Sequence, residues 1–144
     1  MTFKFPYNKF PCRPSEAHPD DYQYLPTLDV RLVNRKTKRE IPCHSLIDSG
    51  ADFSCFHALI GEALGIKVRE GKKQPFSGVI GNGGIAFVHL LVIEVEGVGG
   101  EVPVGFSYDL ANPRMGFLGQ RGFFELFKVS FNYPKRVFTL RFVG

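Results

Sequence analysis

Short runs in which apolar and polar residues alternate are the feature that most constrains how this sequence can fold. Side chains of a β-strand point to opposite faces in turn, so such a run predicts a strand with one buried face. The 144 residues also include 16 glycines and 10 prolines, which favours many turns between short elements. We therefore predict a mostly β domain, closed or nearly closed. The clearest alternating sets are Leu28, Val30 and Leu32; Val102, Val104 and Phe106; Val129, Phe131 and Tyr133; and Phe138, Leu140 and Phe142.

Three further segments complete the predicted architecture. Residues 85–95 are an almost unbroken apolar run rich in β-branched side chains, which predicts a long buried strand. Between residues 56 and 64 the apolar side chains recur at helical spacing, and Gly65 is placed to end a short helix. Residues 123–127 predict one or two turns of a second helix. The predicted buried face of the first helix consists of Phe56, Leu59, Ile60, Ala63 and Leu64.

The first 26 residues differ in composition from the rest of the chain. They hold five of the ten prolines, a density that excludes a long helix and disfavours a central strand. Within them Phe3, Phe5 and Tyr7 alternate with polar residues or proline, which predicts a short edge strand. We therefore divide the chain into a proline-rich N-terminal arm, residues 1–26, and one folded domain, residues 27–144.

Composition narrows the possible partners. No apolar run approaches the ~20 residues of a membrane-spanning helix, and the start of the chain lacks the apolar stretch of a signal peptide. The net charge of +4 comes partly from basic segments at 35–39 and 67–73, whose turn-like composition indicates solvated loops. No nucleic-acid-binding motif accompanies them. Three cysteines without regular spacing favour free thiols in a reducing compartment. We expect a cytoplasmic protein that binds neither membrane nor nucleic acid.

Four cysteine and histidine side chains are of the types that bind zinc: Cys43, His44, Cys55 and His57. Adjacent residues of a strand face opposite sides, so Cys43 and His44 cannot easily share one metal ion, and no recognisable zinc spacing is present. We predict no metal and no cofactor. His89 lies within an apolar strand, which is more typical of a hydrogen-bonded core histidine than of a catalytic base.

Asp48 is the candidate with the most specific surroundings. It follows the apolar pair Leu46 and Ile47 and precedes a turn of small residues, so a buried strand delivers a carboxylate into a tight loop. Asp is poor in strands and costly to bury unpaired, which calls for a partner. An Asp-Ser-Gly turn in which Asp48 bonds its own backbone two residues on is the plainer interpretation. Taken alone, this motif leaves both interpretations open.

The residues around this acid resemble a known signature. Residues 46–54 are similar to the Asp-Thr/Ser-Gly-Ala signature of the retropepsin-like aspartic protease family, including the apolar pair before the acid and the hydroxyl residue Ser54 after it. Residues 78–84 resemble the glycine-rich flap of that family. Residues 116–119 resemble the apolar-apolar-Gly element before its C-terminal helix. The three elements occur in the family's order, which makes the set more specific than any one of them.

The resemblance extends over roughly residues 27–142, and residues 118–124 are particularly similar to prokaryotic single-domain members. One departure concerns the arginine that usually follows the glycine and pairs with the acid corresponding to Asp52. This chain has Gln120 there and Arg121 next. One residue on a helix is a rotation of about 100°, so whether Arg121 reaches Asp52 is left open.

The resemblance implies a single-domain retropepsin-like closed β-barrel that assembles as a two-fold symmetric homodimer. It implies that Asp48 carries the catalytic carboxylate, that Ser49 hydrogen-bonds across the dimer, and that Gly50 leaves room for the substrate backbone. The catalytic positions it implies are Asp48, Ser49 and Gly50. The substrate-binding positions it implies are Ala51, Asp52, Val79, Ile80, Gly81, Gly83, Gly84 and Phe117.

Peptide hydrolysis by this chemistry needs two carboxylates, one ionised to activate water and one protonated to polarise the scissile carbonyl. The chain contains one such motif, so the second carboxylate must come from a symmetry-related copy. We predict an aspartic endopeptidase that cleaves extended polypeptide segments under a glycine-rich flap. The alternative is a non-catalytic dimeric peptide-binding or scaffold domain of the same fold.

Overall fold

The computed structural model describes residues 1–77 and 83–144. Strands make up 55% of it, which confirms the mostly β class. Within the described residues the strands are β1 (Thr2–Pro6), β2 (Asn8–Pro11), β3 (Tyr22–Leu25), β4 (Thr27–Asn34), β5 (Arg39–Ile47), β6 (Cys55–His57), β7 (Lys72–Phe76), β8 (Gly84–Val95), β9 (Val98–Ser107), β10 (Gly116–Leu118), β11 (Phe127–Asn132) and β12 (Val137–Phe142). The helices are α1 (Ala58–Ala63) and α2 (Phe123–Leu126), with a 3₁₀ turn at Val68–Glu70. None of these helices has the length or the apolar character to cross a membrane.

Six strands close into the predicted barrel, in the order β4-β5-β10-β6-β9-β8, with β8 pairing again to β4. The longest antiparallel pair is β8 with β9, joined by Glu96 and Gly97. Both of these residues have positive φ, 52° and 77°, as a two-residue turn that matches the twist of the strands requires. The short strand β10 lies between β5, to which it is parallel, and β6, to which it is antiparallel. This placement brings the end of β10 beside the end of β5.

Strand β7 lies outside the barrel order, on the edge of β8, where Lys72 to Phe76 pair with Val88 to Gly84. The prediction of a basic loop at 67–73 is therefore partly wrong, because its last two residues belong to this strand. Lys72 and Lys73 are exposed, and two adjacent lysines favour a solvated loop over a strand. Pairing with an existing strand overrides that local preference.

The N-terminal residues contribute strands to two small sheets. The predicted edge strand is confirmed as β1, which pairs antiparallel with β12 in the sheet β1-β12-β11. The β2–β3 hairpin was not predicted. Its position is fixed by the Asn8 side-chain amide, which donates to the carbonyl and the hydroxyl of Thr27 at 2.8 Å each. The Arg136 guanidinium lies over the Tyr24 and Tyr133 rings, 4.8 and 4.1 Å from their centroids.

The first helix is present, but its predicted buried face is only partly correct. Leu64 is fully buried and Ile60 packs partly buried on the core, whereas Leu59 is 57% exposed and Ala63 is exposed. Phe56 is buried as predicted but belongs to β6, since the helix begins at Ala58. The helix also buries the small residues Ala58 and Gly61. A Cβ at Gly61 would lie 3.0 Å from the Phe106 ring, so small residues let the helix approach β9 closely. Gly65 ends the helix with φ of 80°, as predicted.

Strand alternation predicted the core correctly in β4, in β9 and in part of β12. The confirmed buried residues are Leu28, Val30, Leu32, Val102, Val104, Phe106, Phe138 and Leu140. Phe142 is only half-buried. The predicted buried face of β11 is wrong at two positions: Phe131 is 44% exposed and Tyr133, just beyond the strand, is 48% exposed. Strand β11 lies at the edge of the three-stranded sheet, outside the barrel. Five phenylalanines fill the largest fully buried positions, and two of them, Phe123 and Phe127, stack at 5.1 Å between ring centroids. The buried phenylalanines are Phe56, Phe106, Phe123, Phe127 and Phe138.

Candidate active site

Asp48 follows the last residue of β5 and is half-buried. Its backbone N–H donates to the carbonyl of Leu118, the last residue of β10, at 3.0 Å. The Gly50 N–H donates to Asp48 Oδ1 at 3.0 Å, and the Ala51 N–H donates to the Asp48 carbonyl at 3.1 Å. The local Asp-Ser-Gly turn of the plainer interpretation is therefore present. It holds the carboxylate at the end of a buried strand with one oxygen bonded to the backbone.

Gly50 lies close to the Asp48 carboxylate. A Cβ at this position would lie 3.3 Å from Asp48 Oδ1, a tight contact that glycine avoids. Ser49 and Gly50 are exposed, whereas Ala51 is half-buried. The turn thus presents its first two residues to the outside and anchors its third.

The segment after β10 holds this turn from the other side. The Gln120 N–H donates to the Ala51 carbonyl at 2.9 Å, and the Gln120 side-chain amide donates to the Ser49 carbonyl at 2.8 Å. Gly119 makes this approach possible, because a Cβ there would lie 2.5 Å from the Phe53 carbonyl oxygen and 2.7 Å from that of Ala51. Gln120 therefore fixes the turn, a role that no local sequence pattern indicates.

Ser54 connects the two segments from within the core. It is fully buried, and its hydroxyl donates to the Arg121 carbonyl at 3.1 Å. The same oxygen accepts from the N–H groups of Gly119 at 3.0 Å and Phe123 at 3.3 Å. The sequence signalled only a hydroxyl residue at this place in the motif. The structure shows that this one side chain joins the strand after the turn to the start of α2.

The Arg121 side chain pairs with Glu125 and not with Asp52. Its Nε lies 4.0 Å from Glu125 Oε1, and the ion pairs of the described residues include none between Arg121 and Asp52. Only the backbones meet, where the Arg121 N–H donates to the Asp52 carbonyl at 2.9 Å. Asp52 and Arg121 both line an open cavity of about 430 Å³, together with Phe53, Lys72 and other residues. The family's ion pair is absent from the described part of the chain.

The expected substrate-binding positions fall into two groups. Val79, Ile80 and Gly81 lie outside the described residues, so the structure gives no information on them. Gly83 and Gly84 lie at the described end of the β7–β8 hairpin. A Cβ at Gly83 would lie 2.2 Å from the Phe76 carbonyl oxygen, and one at Gly84 would lie 2.5 Å from Asp109 Cβ. Close packing therefore requires glycine at both positions.

Phe117 lies on β10 next to the turn that holds Asp48. It is half-buried and is paired with Leu46 of β5 on one side and Cys55 of β6 on the other. The structure thus places Phe117 and the Asp48 turn on neighbouring strand ends.

The cysteine and histidine side chains lie apart from this turn. Cys43 is buried, whereas the adjacent His44 points outward and its Nδ1 lies 2.8 Å from Asp29 Oδ1. Burial raises the pKa of the Cys43 thiol, and that of Cys55, to about 12, so neither is a ready metal ligand or nucleophile. His89 Nε2 bonds the Val68 carbonyl at 2.8 Å. Across the described residues, no three His, Cys, Asp or Glu side chains gather as a metal ion would need.

Comparison with solved structures bears on the architecture. Over 99% of this chain and 94% of the other, the structure aligns with a retropepsin-like aspartic protease from Rickettsia conorii, with a TM-score of 0.53 and 17% sequence identity. The chain has a retropepsin-like fold. The EIAV protease complexed with the inhibitor HBY-793 aligns with 67% of this chain and 82% of its own, with a TM-score of 0.46 and 20% identity. No family model and no curated protein matches the sequence.

The retropepsin-like fold accounts for the way the site is built. Its β5 and β10 ends, which are distant in sequence, converge so that the Asp48 turn is bonded by Leu118 and Gln120. The sequence resemblance and the three-dimensional alignment thus lead to the same architecture.

Proposed function

We propose that the chain is an aspartic endopeptidase in which Asp48 of each of two identical subunits supplies one of the two catalytic carboxylates. The observation that carries the proposal is the mounting of Asp48. It lies half-exposed at the end of a buried strand, in a turn that Gly50, Gln120 and Leu118 hold by hydrogen bonds. A carboxylate held in one orientation by its own backbone is suited to act on a bound water.

The homodimer is part of the same proposal. The chain contains one Asp-Ser-Gly turn, and the hydrolysis requires an acid and a base together. Two copies related by a two-fold axis that passes between their turns would bring Asp48 of both subunits together. The exposed Ser49, next to Asp48, is placed to contact the second copy at that axis. Two carboxylates at such close range share one proton, as aspartic proteases do.

The reaction then needs no group beyond these residues and water. The ionised carboxylate removes a proton from water while the protonated one donates to the scissile carbonyl oxygen, giving a tetrahedral diol. The newly protonated carboxyl then donates to the amide nitrogen while the other carboxylate removes a proton from a diol hydroxyl. The C–N bond breaks to give an amine and a carboxylic acid, and the pair again holds one proton. Ser49 and Gly50 hold the turn and give the substrate backbone room, and neither takes part in bond making.

We propose an extended polypeptide segment as the substrate. Such a segment can bond to strand edges while its side chains enter separate pockets. Ala51, Asp52 and Phe117 are the described candidates for lining those pockets, and the β7–β8 hairpin with the glycine-rich segment at its end would cover the peptide. Three cysteines, none of them in a disulfide, suit a reducing compartment, so we propose action in the cytoplasm.

The decisive test uses reduced and alkylated casein as an unfolded substrate. Asp48→Asn should lower cleavage by roughly 10³-fold or more. The amide oxygen can still accept from Gly50 N–H, so the thermal midpoint should stay close to that of the parent. Asp29→Asn, which alters an exposed carboxylate on β4, is the matched control and should cleave normally. Cleavage that survives in a verified Asp48→Asn protein contradicts the proposal. Casein binding by a parent protein that does not cleave it supports the scaffold alternative.

Subunit mixing tests whether the site is shared. If each site needs Asp48 from two chains, equilibration with an equal amount of Asp48→Asn protein should reduce cleavage per parent subunit to about half, because mixed dimers lack one carboxylate. An equal amount of Asp29→Asn protein, which is itself active, should instead double the total cleavage. Full activity after demonstrated subunit exchange, or an active monomer in sedimentation at high protein concentration, contradicts the shared site.

A further inference from the structure

Strand β9 ends while its neighbour β8 continues, and two side chains replace the missing strand. The β8–β9 register, in which Phe87 pairs with Phe106, would place Tyr108 opposite Ile85. The chain turns away there, and the Tyr108 hydroxyl bonds Glu62 of α1 at 3.0 Å. Asp109 Oδ2 accepts from Ile85 N–H at 2.9 Å, and the Ser107 hydroxyl donates to the Ile85 carbonyl at 2.7 Å. Both backbone groups of Ile85 are thus bonded by side chains.

Strand β7, on the other side of Ile85, does not provide these bonds. The residue opposite Ile85 is Pro75, which has no N–H. Because the N–H and carbonyl of Ile85 are both directed to the segment after β9, Pro75 and Ile85 form a pair without ladder hydrogen bonds. The Ile85 N–H therefore depends on the Asp109 carboxylate.

Asp109 is itself held in place. Its N–H donates to the Ser107 hydroxyl at 3.0 Å, and Ser107 is fully buried. Its side chain packs on Gly84, where a Cβ would lie 2.5 Å from Asp109 Cβ and 2.7 Å from Oδ2. Glycine at 84 therefore makes room for the carboxylate. The close packing and the hydrogen bond act at the same point, the described end of the β7–β8 hairpin.

We propose that Asp109 is a positioning residue for peptide binding, which fixes the root of the β7–β8 hairpin relative to the Asp48 turn. Residues 110–115 join Asp109 to β10, whose last residue, Leu118, accepts the Asp48 N–H. One short segment thus bonds the hairpin at one end and the catalytic turn at the other. The inference rests on the proposed function, because it is the hairpin that would cover a bound peptide.

The test compares four proteins that cannot cleave: Asp48→Asn alone, and with Asp109→Ala, Asp109→Asn or Asp29→Ala added. The asparagine keeps an oxygen that accepts from Ile85 N–H. Asp29→Ala removes an equally polar bond, to His44 at 2.8 Å, on the distant strand β4. Two quantities are measured for each: hydrogen exchange of the Ile85 amide, and the Kd for fluorescently labelled, reduced and alkylated casein. Thermal melting confirms that each protein is folded.

Asp109→Ala should speed Ile85 exchange by about tenfold and weaken casein binding by about five- to tenfold, as the loss of one charge-assisted hydrogen bond would. Asp109→Asn should keep both within about twofold, and Asp29→Ala should change neither. Unchanged Ile85 exchange in Asp109→Ala overturns the proposal. Faster Ile85 exchange with an unchanged Kd for casein also overturns it, because the bond would then have only a structural role. Absence of casein binding in all four proteins overturns it as well. The two proposals can also fail separately. If the protein with Asp48 intact does not cleave casein but binding still depends on Asp109, the protease proposal is contradicted and the positioning role of Asp109 is supported.

Discussion

Replacing Ser54 by alanine should destabilise the protein more than the loss of one hydroxyl suggests. The Ser54 hydroxyl accepts from two backbone amides, those of Gly119 and Phe123, and donates to the Arg121 carbonyl. The carbonyl keeps its bond from Ser54 N–H at 3.0 Å, but the two amides lose their partner. Ser54 is fully buried, and the space left by one oxygen is too small for a replacing water.

The magnitude follows from those two amides. A buried N–H left without an acceptor costs about 1–3 kcal/mol, and the longer bond to Phe123, at 3.3 Å, belongs at the low end. Ser54→Ala should therefore lower the free energy of unfolding by about 2–4 kcal/mol. Since Gly119 begins the segment that bonds the Asp48 turn, cleavage of casein by the folded mutant should fall as well.

Urea unfolding at one fixed protein concentration gives this quantity, because the stability of the proposed dimer would depend on concentration. Ser130→Ala is the matched control: Ser130 is exposed on β11, and its loss should change the free energy by less than about 0.5 kcal/mol. A change below about 1 kcal/mol for Ser54→Ala, with an unchanged denaturant slope, would refute the argument that its bonds hold the two segments together.

Two further predictions concern backbone packing and thiol reactivity. Gly119→Ala should lower the thermal unfolding midpoint, since its Cβ would lie 2.5 Å from the Phe53 carbonyl oxygen. A midpoint equal to that of the parent in a thermal melt contradicts this. Burial raises the pKa of the Cys43 and Cys55 thiols to about 12, so at pH 8 almost none of either is thiolate. A disulfide reagent should therefore modify the partly exposed Cys12 at once and the other two only after unfolding, and rapid modification of all three in native protein would show that the core is open.

Much of the fold could be predicted from local pattern. The strands β4, β9 and β12 follow from alternation, because a period of two fixes which side chains face inward. The turn at Asp48 follows from its Asp-Ser-Gly sequence, which bonds itself over three residues. The end of α1 follows from Gly65. In each case the deciding interaction lies within a few residues along the chain.

Elements that depend on distant partners were missed or misjudged. Strand β7 exists because β8 is beside it, although its lysines favour solvent. The buried face of α1 is set by where β9 passes, which periodicity within the helix cannot reveal. The β2–β3 hairpin depends on Asn8 reaching Thr27 across 19 positions.

The candidate site divides along the same line. The position of Asp48 in a tight turn after a buried strand could be predicted from local sequence, because apolar residues precede it and small residues follow it. The residues that hold this turn come from the tertiary structure: Gln120, 71 positions from Ser49, and Ser54, 65 positions from Gly119. It also showed that Arg121 lies beside Glu125 rather than Asp52. Hydrogen bonds of 3 Å depend on where two distant strands meet, and no pattern along one strand contains that distance.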